Sequence, residues 1–218
     1  MGQRSQIYVR VNRVDGRKYL FPRYYQWNYA ERMVSRTKGI IEWLQEYATT
    51  PDYLAGNPEM QEKMIRIMDT NFDYRDIVLG RDIIKGYYEA REWQREHGET
   101  PSDFEQIVFA GQANNDGQVF IDLITDFDHK DKKGDFKYTF KYGFRTYADD
   151  DWKAMDPEQY MDWDYEDWRT CESMKDCVKL TVRNINWIRK HAKLMTEDEM
   201  FEFAHHDYVK DMGLEESK

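Results

Sequence analysis

Phe136, Tyr138, Phe140 and Tyr142 alternate with Lys137, Thr139 and Lys141. Successive side chains of a strand point to opposite faces, so this stretch is a strand with one aromatic face and one mostly cationic face. The aromatic face has to be covered, which commits the chain to a sheet with a core packed on it. A second alternation lies at the start: Ile7, Val9 and Val11 interleave with Tyr8, Arg10 and Asn12. Asp15-Gly16 supplies a turn there, and Tyr19 to Tyr29 returns as a second strand, with Pro22 marking an edge or a bulge. Strands are also expected at Ile107–Ala110 and Gln118–Thr125, with Asn115-Asp116-Gly117 as the hairpin turn between them.

Between these strands the period changes to that of a helix. Met33, Thr37, Ile40, Ile41, Leu44 and Ala48 recur at steps of three and four, and Pro51 follows their end. A second helix is expected from Pro58 to Met68 and a third from Asp82 to Glu96, closed by His97-Gly98. Asp156-Pro157 reads as an N-cap followed by proline in the first turn. A long helix from Lys175 to Leu194 would bury Val178, Thr181, Val182, Ile185, Ile188 and Ala192. Thr196 and Glu199 form a capping box for a last helix carrying Met200, Phe201, Ala204 and Tyr208. Strands on both sides of a helical block predict a single α+β domain, residues 1–218, with an antiparallel sheet and about five to six helices. Its parts would be a basic aromatic hairpin at 1–29, a helical block at 30–98, a β-meander at 102–145 and an acidic helical block at 150–213.

Only 40% of the 218 residues are hydrophobic, but 16% are aromatic. Aromatic side chains bury large areas, so a core is within reach of a polar chain. No apolar run is long enough for a membrane span or a signal peptide. Gln6 stands where a myristoylation motif needs Ser or Thr. Two cysteines, Cys171 and Cys177, read as reduced thiols, which places the chain in a cytoplasm.

Charge is the strongest functional signal. Residues 1–40 hold nine Arg and Lys against Asp15 and Glu31, a sum of +7 in a chain whose total is −10. An asymmetry of this size concerns partners rather than fold. The basic part includes the segment RYYQWNY. Arginine forks bind phosphate, and tyrosine or tryptophan faces stack on bases. Arg4, Arg10, Arg23, Arg32 and Arg36 are therefore candidate phosphate ligands, Tyr25 and Trp27 candidate stacking faces, and Asn28 a reader of a base edge or ribose. Such residues also serve as the core and the paired charges of a hairpin.

The opposite pole, Ala148–Asp176, carries eleven acids interleaved with Trp152, Tyr160, Trp163, Tyr165 and Trp168. A dense acidic surface can imitate phosphates and dock on a basic groove, with Trp152, Trp163 or Trp168 as anchors and Asp162, Asp164 and Glu166 as the charges. A solvated acidic helix with its aromatics turned inward gives the same pattern.

There is no glycine-rich phosphate loop, nucleophile elbow or HExxH helix. Asp126, Asp128, Asp131 and Asp135 surround His129, but Lys130 breaks the calcium-loop pattern. No catalytic residue, metal or cofactor is expected.

The opening GQRSQIYVRVN, followed by RYYQWNYAERMVSR, resembles small uncharacterised proteins encoded by phages and prophages of Gram-positive bacteria. The resemblance is clearest over residues 2–36, and related openings often carry glycine where this chain has Ala30. It implies a small phage protein in the bacterial host cytoplasm, of a sort that often counters host defence. Two functions follow as expectations. One is a binding protein, without turnover, that sequesters an anionic nucleotide-type immune signal in the basic aromatic hairpin, with a subunit interface of a homo-oligomer as one setting for the pocket. The other is an acidic inhibitor that blocks a basic host defence nuclease. With a net charge of −10, neither a membrane nor nucleic acid itself is an expected partner.

Overall fold

A computed structural model of the chain describes residues 4–47, 50, 59, 62, 63, 66, 68, 80–110, 116–146 and 152–214. Strands β1 (Arg4–Asn12) and β2 (Lys18–Gln26) form the expected antiparallel hairpin, in register from Arg4↔Gln26 to Asn12↔Lys18. Its loop closes where the Gly16 N–H donates to the Arg13 carbonyl at 2.9 Å, and Gly16 takes a φ of 81° that few other residues tolerate. On its outer side, among the described residues, β2 pairs only with β3 (Arg81–Asp82), at Arg23 and Tyr24, which leaves Pro22 unchallenged.

The hairpin joins the central sheet. Strand β4 (Gln118–Lys130) runs parallel to β1, and β5 (Phe136–Arg145) returns antiparallel to β4. The short β6 (Lys193–Leu194) closes the other edge, giving the order β3-β2-β1-β4-β5-β6 among the described residues. The fold is one α+β domain as expected, but the sheet is mixed rather than purely antiparallel. Parallel neighbours need a long connection, and residues 13–117, β2 among them, lie between β1 and β4.

The two faces of the sheet bury separate cores. On the first, Ile7, Val9 and Val11 line up with Val119, Ile121 and Leu123 and with Phe140, Tyr142 and Phe144. Helices α1 (Glu31–Tyr47), α3 (Pro157–Asp164) and α4 (Val178–His191) cover that face, with Met33, Ile41, Met161, Ile185 and Ile188. Tyr8, Leu20 and Phe120 face the other way. They pack under α2 (Ile83–Glu96), α5 (Glu197–Ala204) and α6 (Tyr208–Met212) through Tyr87, Met200, Phe203 and Tyr208. Gly143 belongs to this second face. A Cβ there would lie 2.6 Å from Met200 Sδ and 3.0 Å from Ala154 Cβ, so the helix seats on a bare backbone.

Local capping chemistry sets several boundaries. Asp156 and Gln159, with Pro157, form a full capping box for α3, and Thr196 with Glu199 does the same for α5. Asp82 caps α2. Three expectations are corrected. Ile107–Ala110 is not a strand but part of a π-helical turn, Gln106–Ala110, so the meander reduces to the β4–β5 hairpin. Ile107, Val108 and Phe109 are all buried, and a short apolar run has no period that separates strand from buried helix. Gly117 consequently leads into β4 rather than turning a hairpin. Val182 and Phe201 are exposed, at 38% and 52%, where burial was expected, and Phe203 fills the core in place of Phe201. Ala48 and most of the expected Pro58–Met68 helix lie outside the described residues. Among the described residues, no helix is long and apolar enough to cross a membrane.

Candidate ligand-binding site

The hairpin arginines are spent inside the molecule. Arg10 lies opposite Asp122 in the β1–β4 register, and its Nε and Nη2 donate to the two carboxylate oxygens at 3.0 and 2.6 Å. Glu202 adds a third contact at 2.8 Å, and the guanidinium sits 4.4 Å above the Phe203 ring. Arg36 donates to the Asn28 side-chain oxygen at 3.1 Å and to the Met68 carbonyl at 2.7 Å, 4.4 Å above Tyr25. The buried Tyr25 hydroxyl also donates to Met68, and the Asn28 amide donates to Ser5 Oγ at 3.0 Å. Tyr25, Asn28 and Arg36 are thus brought together, but as a buried polar knot. Arg23 is buried beside Asp82, with 3.4 Å between their charged atoms. Arg10, Arg23, Tyr25, Asn28 and Arg36 therefore do not present the phosphate forks and stacking face expected of the hairpin. Folding offered these forks carboxylates and carbonyls first.

Arg4, Trp27 and Arg32 remain towards the surface. Arg32 donates to the Trp27 carbonyl at 3.2 Å and lies 5.7 Å from the Tyr29 ring. Trp27 is half exposed. Trp27 and Ala30 both adopt positive φ, 60° and 44°, a region that favours glycine.

At this point the two charge poles of the sequence touch. The Ala30 N–H donates to Asp164 at 2.6 Å, and the Tyr160 hydroxyl lies 3.0 Å from the same carboxylate. The Arg4 N–H donates to Asp116 nearby. Burial pushes the carboxyls of Asp164 and Asp116 up to about 6 each, against the pull of those N–H donors, and for Asp164 the charge of Asp116 adds to the rise. The acidic surface expected of this pole is drawn only partly into the fold, and Asp162 and Glu166 stay exposed. Asp164 is half-buried; Asp162 accepts from Trp168 Nε1 at 2.8 Å and from Arg169 at 3.0 Å; Trp168 is fully buried. Glu166 is exposed and Trp163 borderline.

A pH dependence follows with a definite sign. Asp ionises near 3.9 in an unfolded chain and near 6 at these two sites, so between those values the folded chain holds protons that the unfolded chain has lost. The contribution to stability is full below the unfolded value and fades as pH rises through about 6. Asp164→Asn keeps the acceptor for Ala30 but removes the buried charge. The variant should unfold at pH 7 no earlier than the native chain, and should gain less stability between pH 7 and pH 5. A variant that is less stable at pH 7, with the native pH slope, would show that Asp164 is needed as an ion.

The residues that frame an open cavity lie elsewhere, on the second face where β4 starts and β5 ends. Arg145 donates to the Gln118 side chain at 3.1 Å and stacks 4.2 Å from the Trp152 ring. Gln118 is itself fixed by the Phe109 carbonyl at 3.0 Å. Trp152 meets Phe120 and His205 edge-on, at 6.0 and 5.5 Å. The cavity between them measures about 360 Å3, with Asp103, Glu105 and Gln106 on its rim. His205 has a defined tautomer. Its ring stacks on Phe201 at 3.8 Å, and Nδ1 lies 2.8 Å from the Phe201 carbonyl. A carbonyl only accepts, so Nδ1 carries the proton and Nε2 of the neutral ring is an acceptor. Trp93–His97 and Trp187–His191 repeat this arrangement at the ends of α2 and α4, with Nδ1–carbonyl distances of 2.8 and 2.7 Å. The signal was legible as an aromatic followed four residues later by histidine: WQREH, WIRKH and FEFAH. Trp152, expected as an anchor for a protein partner, walls this cavity; Arg145 and His205 were not singled out.

Among the described residues no group of three or more His, Cys, Asp and Glu could hold a metal ion. The acids around His129 fold back on their own loop: Asp126 accepts from His129 and from two backbone N–H groups. Cys171 and Cys177 are not in disulfides, and the Cys177 thiol donates to the Met174 carbonyl at 3.1 Å. Comparison of the chain with family models, with curated proteins and with solved structures found no match.

Proposed function

We propose that this protein binds a small anionic ligand of nucleotide type, and that the site is the cavity framed by Arg145, Trp152 and His205. The observation that carries this reading is the arginine–indole stack at the wall of a cavity of about 360 Å3. That volume falls in the range of small-molecule sites, roughly 300–1,000 Å3. A guanidinium stacked on an indole keeps its in-plane N–H groups directed sideways, where a phosphate or a base edge can accept from them. His205 Nε2 and the rim carboxylates Asp103 and Glu105 accept from exocyclic amines and sugar hydroxyls. The same carboxylates penalise a ligand crowded with phosphates, so a mononucleotide suits the cavity better than a triphosphate.

In the phage setting that the opening residues resemble, such a protein would sequester a nucleotide signal of the host cytoplasm by binding alone. The acidic-inhibitor reading keeps the exposed Asp162, Trp163 and Glu166 but loses Trp168, which is fully buried, and Asp164, which accepts from the Ala30 N–H.

Titration calorimetry with AMP, GMP, CMP and UMP tests the proposal. Losing one charge-assisted hydrogen bond costs about 1.5–3 kcal/mol, so Arg145→Ala should weaken the best of these ligands by about 10- to 100-fold. Trp152→Ala should act in the same direction. Thermal unfolding of each variant separates lost binding from lost fold. Absence of binding by the native chain, or native affinity in both folded variants, would overturn the proposal.

A further inference from the structure

A second cavity of about 370 Å3 lies beside the first, between β2, β3 and α2. Tyr24 and Arg81, opposite each other in the β2–β3 register, form one side. Gln94 and Ser102 form the other, locked by two mutual hydrogen bonds of 3.0 and 2.9 Å. Gln106 borders both cavities. It is exposed and opens the π-helical turn Gln106–Ala110, a rare backbone form that is frequent at functional sites. Each cavity holds one arginine, Arg145 in the first and Arg81 in the second, and the two volumes are nearly equal.

We propose that the ligand has two heads: a dinucleotide, linear or cyclic, with one nucleoside in each cavity and the phosphodiester linkage passing Gln106. This rests on the nucleotide reading of the first cavity and extends it to the ligand class. The near-equal volumes fit two similar heads. The Gln106 carboxamide can donate through its NH2 to a phosphodiester oxygen and accept through its oxygen from the neighbouring free ribose hydroxyl. The Gln94–Ser102 clasp holds the second cavity's polar wall in place before any ligand arrives. Arg81 is 69% exposed and its ion pair with Glu89 spans 3.4 Å, so the guanidinium can be redirected at little cost.

The test compares AMP and GMP with linear pApA and pGpG and with the cyclic di-adenylate and di-guanylate, on the native chain, Arg81→Ala and Arg145→Ala. Linking two heads makes the second contact intramolecular, so the native chain should bind a dinucleotide about tenfold or more tighter than its mononucleotide. Arg81→Ala should erase that advantage and leave unchanged the mononucleotide affinity of the cavity framed by Arg145. Arg145→Ala should weaken both ligand types. Mononucleotide binding lost in Arg145→Ala, with dinucleotide binding untouched by Arg81→Ala, would overturn the two-headed ligand and leave the single-site reading standing. No binding of any of these ligands by the native chain would overturn both.

Discussion

Replacing Arg10 by alanine should cost about 3–5 kcal/mol of folding stability, because it leaves the Asp122 carboxylate buried without its partner. The two side chains are 5% and 6% exposed, so the remaining charge is largely removed from water. Burial alone would lower the guanidinium's affinity for its proton, yet the Asp122 carboxylate and the contacts from Glu202 hold it firmly charged. Arg10→Met combined with Asp122→Leu should recover most of the loss, since an apolar pair of similar volume replaces an ion pair without leaving either charge orphaned. Glu202, about half exposed and also paired with Lys18 at 2.6 Å, turns to solvent in the double variant. Urea unfolding of the three chains measures this. An Arg10→Ala chain as stable as the native one would return Arg10 to the list of residues held ready for a ligand.

Trp168→Ala should be comparably severe, about 3–5 kcal/mol, through the cavity left by a fully buried indole. Its Nε1 donor to Asp162 goes with it, as does the platform on which Arg169 lies at 4.2 Å. Arg169 in turn holds Glu158 and Asp162, so the loss should loosen the packing of α3 against the sheet. Glu166→Gln, a few residues away on the exposed side, should fall within about 0.5 kcal/mol of the native chain. A partner-docking role for this stretch predicts the reverse for both: a stable Trp168→Ala protein and a functional loss in Glu166→Gln. Thermal unfolding of the two variants separates the cases.

Arg10 and Trp168 mark what a linear reading could and could not reach. The alternation of Ile7, Val9 and Val11 and of Phe136 to Tyr142 specified strands, because a period of two is local and needs no partner to be seen, but it did not reveal that β1 is buried on both faces. The caps at Asp156 and Thr196 were legible for the same reason: donor and acceptor lie three residues apart. Ile107–Phe109 was not legible, because an unbroken apolar run carries no period. The mixed sheet was not legible either. Nothing local reveals that β1 takes β4 as a parallel neighbour, yet that register alone sets Arg10 opposite Asp122, 112 residues away.

The separation of charge into a basic opening and an acidic later segment is a property of the sequence, as are the aromatic supply and the strand and helix periods. What those charges do was decided by tertiary structure. Folding brings Ala30 against Asp164 and Arg10 against Asp122, and a guanidinium or carboxylate removed from water takes the partner that packing places beside it. Arg145 and Trp152 come from the end of one strand and the segment after it, and meet His205 only because α5 seats on Gly143. A cavity wall of that kind has no sequence spacing of its own; it exists only once the sheet and its second layer of helices are in place.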